Sequence, residues 1–102
     1  MSSKVRRPQR PAGEIFPLSA AGTGDTGVIV RVGGDIALEG LGRTELERRL
    51  LEMGFVEGAR IKVLHEGFIG RDPIAVQLDD MRIALRRREA ADVMVQSLAN
   101  DD

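Results

Sequence analysis

One short amphipathic helix between Thr44 and Gly58 constrains the fold of this chain more than any other segment. Thr44 is a favoured N-cap residue, and Glu47 three places later completes a capping box, in which two otherwise unpaired amides find acceptors. Three apolar residues recur at helical spacing and share one face: Leu46, Leu50 and Met53. The sequence after this helix alternates like β-strands, so we expect the helix to cover a small β core.

The end of this helix is also encoded. Gly54 is expected to end it at the C′ position, where a left-handed backbone would strain any residue with a Cβ atom. Phe55 then falls at C″, where it is placed to pack back on Leu50. Gly58 marks a second turn, after which the strand pattern begins.

Alternating apolar and polar residues predict five strands, one before the helix and four after it. They cover residues 27–32, 60–66, 73–78, 81–86 and 92–95, with a loop at 67–72 and a helical turn at 87–91. Asp79 and Asp80 supply the turn of the clearest hairpin, at residues 73–86. Five strands, one short α-helix and an aliphatic interior predict a mainly β fold, a small, partly open barrel that hides its strand edges.

The flanking segments are predicted to lie outside this domain. Residues 1–17 contain four basic residues and three prolines with little to bury, so we expect a disordered basic tail. Residues 18–95 form the predicted domain, and residues 96–102 are expected to be a polar, acidic tail.

Composition limits the classes of function. The chain has 102 residues, no cysteine, one histidine and a formal net charge of −1. It therefore offers no thiol chemistry and no long-range attraction for nucleic acid or anionic membranes. No apolar run approaches the ~20 residues of a membrane helix, so we expect a soluble chain without direct membrane insertion. Because no nucleophile is spaced for a base and no carboxylates pair, we predict a protein that is not an enzyme and has no cofactor.

Two local patterns suggest binding sites that we do not favour. His65 is the only histidine, and a metal site needs several ligands, so we predict no metal site and keep His65 as the sole candidate ligand. Four arginines cluster near the C-terminus, but no Tyr or Trp is present to stack on bases, so a solvated strand face is favoured over a nucleic-acid site. These are Arg82, Arg86, Arg87 and Arg88.

Several segments, in order, resemble the FeoA family, the small ferrous iron transport protein A of bacteria. They read R-R-L-L-E-M-G-F at residues 48–55, I-K-V-L at 61–64, D-P-I at 72–74 and M-R-I-A-L-R-R-R-E-A at 81–90, with T-G-V-I-V-R-V upstream at 26–32. The resemblance implies an SH3-like barrel that acts by binding, as a cytoplasmic accessory or regulatory protein of ferrous iron uptake. Its implied partner is the membrane ferrous iron transporter FeoB, whose cytosolic GTP-binding part would recruit it to the inner face of the membrane.

Two other functions stay open at this stage. One is a stand-alone regulatory domain related to the C-terminal domain of iron-dependent repressors, and the other is a nucleic-acid-binding SH3-like module. A homodimer through an exposed edge strand is also left open.

We hypothesise that the outward face of the helix, the turn after it and the tip of the 67–72 loop contact the partner. The candidate residues are Arg48, Arg49, Glu52, Phe55, Phe68 and Ile69. Two apolar residues between glycines at a loop tip are difficult to assign to a core. The alternative is that Phe68 folds back and caps the end of the barrel.

Overall fold

A computed structural model describes residues 10–33 and 45–98, and the elements below refer to this part of the chain. It contains six strands: β1 (Ile15–Pro17), β2 (Thr26–Val32), β3 (Arg60–Ile69), β4 (Asp72–Leu78), β5 (Met81–Leu85) and β6 (Val93–Ser97). Two helices, α1 (Glu45–Met53) and α2 (Arg87–Ala90), and a 3₁₀ turn at Leu18–Ala20 accompany them. The predicted N-cap residue, Thr44, lies outside the described residues.

The six strands form one antiparallel sheet in the order β1-β6-β2-β3-β4-β5. Strands β3, β4 and β5 are a meander, while β6 returns to pair with both β1 and β2. The register shifts between Ile29 and Arg31 in β2 and between Val63 and His65 in β3. Such irregularities bend a strand and increase its twist, which helps a sheet to curl towards a barrel. The predicted mainly β fold is confirmed, with one strand more than expected.

One aliphatic core packs α1 against the sheet. Leu50 is completely buried, and Leu46 and Met53 pack against the same core, so the predicted apolar face of the helix is confirmed. Alternate residues of β3 and β4 supply the facing side chains: Ile61, Val63, Ile74, Val76 and Leu78. In β2 the fully buried side chain is that of Ile29. The three valines of this strand, Val28, Val30 and Val32, are half-buried.

The end of α1 follows the predicted glycine-terminated geometry. Gly54 has φ 108°, and its amide donates to the Leu51 carbonyl oxygen at 3.0 Å. The Phe55 amide donates to the Leu50 carbonyl oxygen at 3.0 Å, which completes the two hydrogen bonds of a Schellman motif. Phe55 is fully buried. Its ring is therefore part of the core and cannot contact a partner, and this candidate site residue was wrong.

Both boundaries of the predicted domain need correction. Ile15–Pro17, assigned to a disordered tail, forms β1 and pairs with β6, with Phe16 opposite Val95 and buried in the core. At the other end, β6 continues to Ser97, which is also buried. The expected tails at residues 1–9 and 99–102 lie outside the described residues.

The predicted loop at residues 67–72 is also wrong, because β3 continues through Phe68 to Ile69. Ile69 pairs with Asp72, and only two residues, Gly70 and Arg71, connect the strands. Their φ values of 67° and 59° are both left-handed, as a tight type I′ hairpin turn requires. This part of the chain is therefore the end of a long, ordered hairpin.

Candidate functional site

The end of the β3–β4 hairpin carries the most exposed apolar side chains of the described chain. We call residues 68–71 the hairpin tip. Phe68 is 103% exposed and Ile69 is 85% exposed relative to an extended reference. The interpretation in which Phe68 caps the barrel end is excluded by this exposure. Apolar side chains held in water are costly, so their presence at an ordered turn makes the hairpin tip a candidate binding surface.

The base of this hairpin is held by Arg87, the first residue of α2. Its guanidinium donates to the carbonyl oxygens of Ser19, Ala21 and Arg71 at 2.8–2.9 Å, and to Glu66 Oε1 at 2.8 Å. Its side chain is only 20% exposed. The Arg87 amide also donates to Asp72 Oδ1 at 2.8 Å. The side chain thus connects α2 to the 3₁₀ turn, to β3 and to the hairpin turn, and the amide adds a bond to β4.

Glu66 is the anionic partner in this arrangement. Its Oε2 accepts hydrogen bonds from the Thr23 amide at 2.8 Å and the Thr23 hydroxyl at 3.0 Å. The amide hydrogen bond is the main cause that lowers the pKa of Glu66 below 4.5, with help from the hydroxyl and the charges of Arg87 and Arg71, while burial acts in the opposite direction. Glu66 is therefore a stable carboxylate that fixes β3 to the turn at Thr23.

This arrangement is structural and does not resemble an active site. All four hydrogen bonds of the Arg87 side chain go to oxygen atoms of the protein. The Glu66 carboxylate already accepts hydrogen bonds from both Thr23 and Arg87. A cavity of about 460 Å³ lies beside it, lined by Arg10, Gly70 and Arg71 among others. Arg10 is itself bonded to Glu14, Asp25 and the Ala20 carbonyl oxygen, and it lies 3.9 Å from the Phe16 ring centroid. The positive charge of Arg10 is therefore already paired with the carboxylates of Glu14 and Asp25.

The outward face of α1 is the second exposed patch. We call Arg48, Arg49 and Glu52 the helix patch, and all three are exposed as predicted. Arg49 makes one long ion pair, with 3.8 Å between its Nη2 and Glu89 Oε2. Surface pairs of this kind contribute only about 0–1 kcal/mol, so Arg49 is free to exchange this partner for another.

The structure places the predicted site residues in two patches instead of one. Gly54, at the end of α1, lies against Leu78, since a Cβ built on it would stand 3.3 Å from Leu78 Cδ2. Leu78 is the last residue of β4, and the hairpin tip lies just before the first residue of that strand. Leu78 and the hairpin tip are therefore about 20 Å apart along β4, at ~3.3 Å per residue. On the other side, α2 stands between Arg49 and Asp72. The helix patch and the hairpin tip therefore both border α2.

The other candidates are His65 and the four clustered arginines. His65 is exposed at the bulge in β3, and no group of three or more metal-ligating side chains occurs among the described residues. Arg82, Arg86 and Arg88 are exposed, whereas Arg87 is the half-buried donor described above. None of the helices in residues 10–33 and 45–98 is long and apolar enough to cross a membrane.

Sequence reasoning missed Arg87 and Glu66. Arg87 appeared only as one of four clustered arginines, and its acceptors at Ser19 and Ala21 lie 68 and 66 residues away along the chain. The one local signal is Glu89, whose Oε1 accepts the Arg86 amide at 3.0 Å and so fixes the start of α2.

Comparison with known proteins agrees with this architecture. The family model described as the FeoA domain matches residues 16–97. A curated relative, the Fe(2+) transport protein A/Fe(2+) transporter FeoB fusion protein of Porphyromonas gingivalis, is 38% identical over 84 residues. Those residues are 82% of this chain but only 9% of the relative.

Solved structures extend the comparison. An iron uptake regulatory protein, FeoA, has a TM-score of 0.63 at 31% identity, over 83% of this chain and all of that one. The zinc complex of Stenotrophomonas maltophilia FeoA, described as an SH3 domain protein, has a TM-score of 0.64 at 32% identity, over 79% and 89% of the two chains. A manganese-dependent transcriptional repressor matches with a TM-score of 0.67 over 88% and 45%, but at 24% identity the likeness concerns the fold alone. Together with the family match across nearly the whole described barrel, these findings establish that the chain belongs to the FeoA family of SH3-like proteins.

Proposed function

We propose that this chain is an accessory protein of ferrous iron uptake that binds the cytosolic, GTP-binding part of a FeoB-type membrane transporter. The observation that carries the proposal is the relative from Porphyromonas gingivalis, whose name joins transport protein A and FeoB in one fusion protein. Joining two modules covalently raises the effective concentration of each at the other, which is useful only when the two make contact. A separate chain of the same family is expected to make that contact across an interface.

The proposed mode of action is binding at the cytoplasmic side of the membrane, without chemistry on a substrate. Two features of the described residues support it. The Glu66 carboxylate is shared between Thr23 and Arg87, and the lone histidine stands exposed at a strand bulge and belongs to no group of three or more metal-ligating side chains among the described residues. The largest unexplained features are exposed patches, which are typical of proteins that work by contact.

We assign the helix patch to the transporter. Arg48 and Arg49 present two guanidinium groups on one rigid helix, and Glu52 lies beside them. Arginine is enriched where proteins meet, because its planar fork pairs with carboxylates in two-pronged geometry. The Leu50 side chain anchors the opposite face of α1 in the core, so the patch keeps a fixed orientation.

A charge-reversal pull-down tests this assignment. Arg49→Glu should weaken capture of the transporter's cytosolic domain by at least tenfold, because it places like charges where a carboxylate is expected. Lys62→Glu is the matched control, since it changes the net charge equally on an exposed residue whose neighbours Ile61 and Val63 point into the core. Equal capture of both folded variants and the unaltered protein would remove the helix patch from the proposal.

A further inference from the structure

The hairpin tip has the geometry of a small apolar wedge. Phe68 and Ile69 are the only two large apolar side chains of the described chain with more than four-fifths of their surface exposed. They stand next to a two-residue turn, and no part of the barrel packs over Phe68. The two apolar side chains project from the end of the hairpin, so they are placed to enter a partner surface.

The wedge is held rigidly. Below it, Ile69 pairs with Asp72, and the turn residues Gly70 and Arg71 adopt the conformation that the strand twist favours. The hydrogen bonds of Arg87 to Glu66 and to the Arg71 carbonyl oxygen fasten the base of the hairpin to α2. A pre-ordered tip loses little conformational entropy when it is buried, which favours insertion.

The exposed charged side chains beside the wedge are arginines. Arg71 has 73% of its side chain exposed and makes one long ion pair, with 3.8 Å between its Nε and Glu66 Oε1. Arg86 and Arg88 are exposed on either side of Arg87. The carboxylates of the same region keep their charge but are less exposed: the Glu66 side chain is 14% exposed, that of Glu89 is 27% exposed, and Asp72 is half-buried. This end of the barrel therefore presents cations to its surroundings although the whole chain has a net charge of −1.

The N-terminal segment adds to this charge in sequence. Arg10, the first described residue, lines the same cavity as Gly70 and Arg71, so the chain reaches the barrel beside the hairpin tip. Three basic residues precede it: Lys4, Arg6 and Arg7.

We propose that the hairpin tip inserts into the interface of an anionic lipid membrane, with Phe68 and Ile69 below the headgroups and Arg71, Arg86 and Arg88 at the phosphates. An apolar insertion and a cationic rim are the two signals that together give stable but reversible membrane attachment. A protein pocket would also accept an apolar tip, but it would not require exposed cations on several sides of it. The proposal goes beyond the assigned contact with the transporter and does not depend on it.

The proposed insertion differs from the sequence-based expectation of no membrane insertion. A search for long apolar runs cannot detect two residues at a turn. The net charge is an average over the chain, whereas attraction to a membrane surface acts over roughly one Debye length, about 10 Å in 0.1 M salt.

A fluorescent probe at the tip provides the first test. The chain has no tryptophan, so Phe68→Trp introduces a single one at a fully exposed position. Its emission should shift to the blue with phosphatidylcholine vesicles that contain phosphatidylglycerol, and the shift should disappear in high salt. Val56→Trp is the matched control, because Val56 is also exposed and precedes the opposite end of β3, about 30 Å away at ~3.3 Å per residue.

Vesicle co-sedimentation gives the second readout. The double change Phe68→Ala with Ile69→Ala should lower binding to the anionic vesicles about tenfold or more, while Val56→Ala leaves it unchanged. Reversal of Lys4, Arg6 and Arg7 to Glu in the full chain should also weaken binding. Circular dichroism confirms that each variant is folded.

Several outcomes would overturn the proposal. Equal blue shifts at positions 68 and 56, or no shift at position 68 with anionic vesicles, would show that the tip does not insert. A shift at position 68 that appears only when the transporter's cytosolic domain is added would assign the tip to a protein contact. None of these results depends on whether the helix patch binds the transporter.

Discussion

Replacing Arg87 with methionine tests the account of how the barrel holds its hairpin. Methionine keeps the aliphatic stem but removes the guanidinium, which makes four hydrogen bonds of 2.8–2.9 Å. Three of their acceptors are main-chain carbonyl oxygens, at Ser19, Ala21 and Arg71, and the fourth is Glu66. The substitution leaves the Arg87 amide and its bond to Asp72 in place.

The expected cost follows from the burial of this group. Hydrogen bonds to charged groups contribute about 1.5–3 kcal/mol each, but four bonds from one side chain are not additive. Removing one partner of a buried pair typically costs about 3–5 kcal/mol. The Glu66 side chain is 14% exposed and the Arg87 side chain 20% exposed, so water can replace part of the loss. We therefore expect Arg87→Met to lower the free energy of unfolding by about 2–4 kcal/mol, a large part of the 5–15 kcal/mol typical of a domain.

Urea denaturation followed by far-ultraviolet circular dichroism measures this change, since the chain lacks tryptophan. Arg88→Met is the control, because Arg88 is the exposed neighbour and surface substitutions usually change stability by less than about 0.5 kcal/mol. If both variants unfold within 0.5 kcal/mol of the unaltered protein, on the order of the usual surface effect, the Arg87–Glu66 pair does not stabilise the barrel as argued.

Three further predictions concern stability. The lowered pKa of Glu66 adds stability above pH 4.5 that is lost as the pH falls through the folded-state pKa, so acid titration of Glu66→Gln should show a weaker loss of stability below pH 4.5 than the unaltered protein shows. Leu50→Ala should cost about 2–5 kcal/mol in urea denaturation, because Leu50 is fully buried under α1; a cost below about 1 kcal/mol would contradict the assigned core. Gly27→Ala should destabilise the β2–β6 pair, because a Cβ would collide with Val95 and the Gln96 carbonyl oxygen; a thermal midpoint equal to that of the unaltered protein would show that the strands are less closely packed.

The features that the sequence predicted correctly are local ones. The apolar face of α1, its end at Gly54 and the β4–β5 hairpin with its turn at Asp79 each depend on residues within a few positions of one another. Helical spacing, a left-handed glycine and alternation are short-range signals, so they can be read without knowing the tertiary structure.

The features that it missed depend on distant partners. Three residues ending in proline do not suggest a strand, and β1 exists because β6, about 80 residues later, provides hydrogen bonds for it. Phe55 was assigned both to packing and to a partner surface, and only its complete burial decides between them. The extent of β3 past Gly67 depends on its pairing with β4, where Ile69 meets Asp72.

The candidate surfaces also divide into a part that local sequence predicts and a part that depends on tertiary structure. Helical spacing alone places Arg48, Arg49 and Glu52 on the outward face of α1. Whether Phe68 caps the barrel or points into water could not be decided from its neighbours, since glycines permit both. The decision is made by the two-residue turn and by the bonds of Arg87 at the base of the hairpin.

The central claim is that this chain assists ferrous iron uptake through a contact made by α1. The most direct measurement is the initial rate of ferrous iron uptake by cells that lack this chain and by the same cells supplied with the unaltered protein, Arg49→Glu or Lys62→Glu. The account predicts that loss of the chain changes the rate, that the unaltered protein and Lys62→Glu restore it, and that folded Arg49→Glu does not. Uptake that is the same with and without the chain would contradict it.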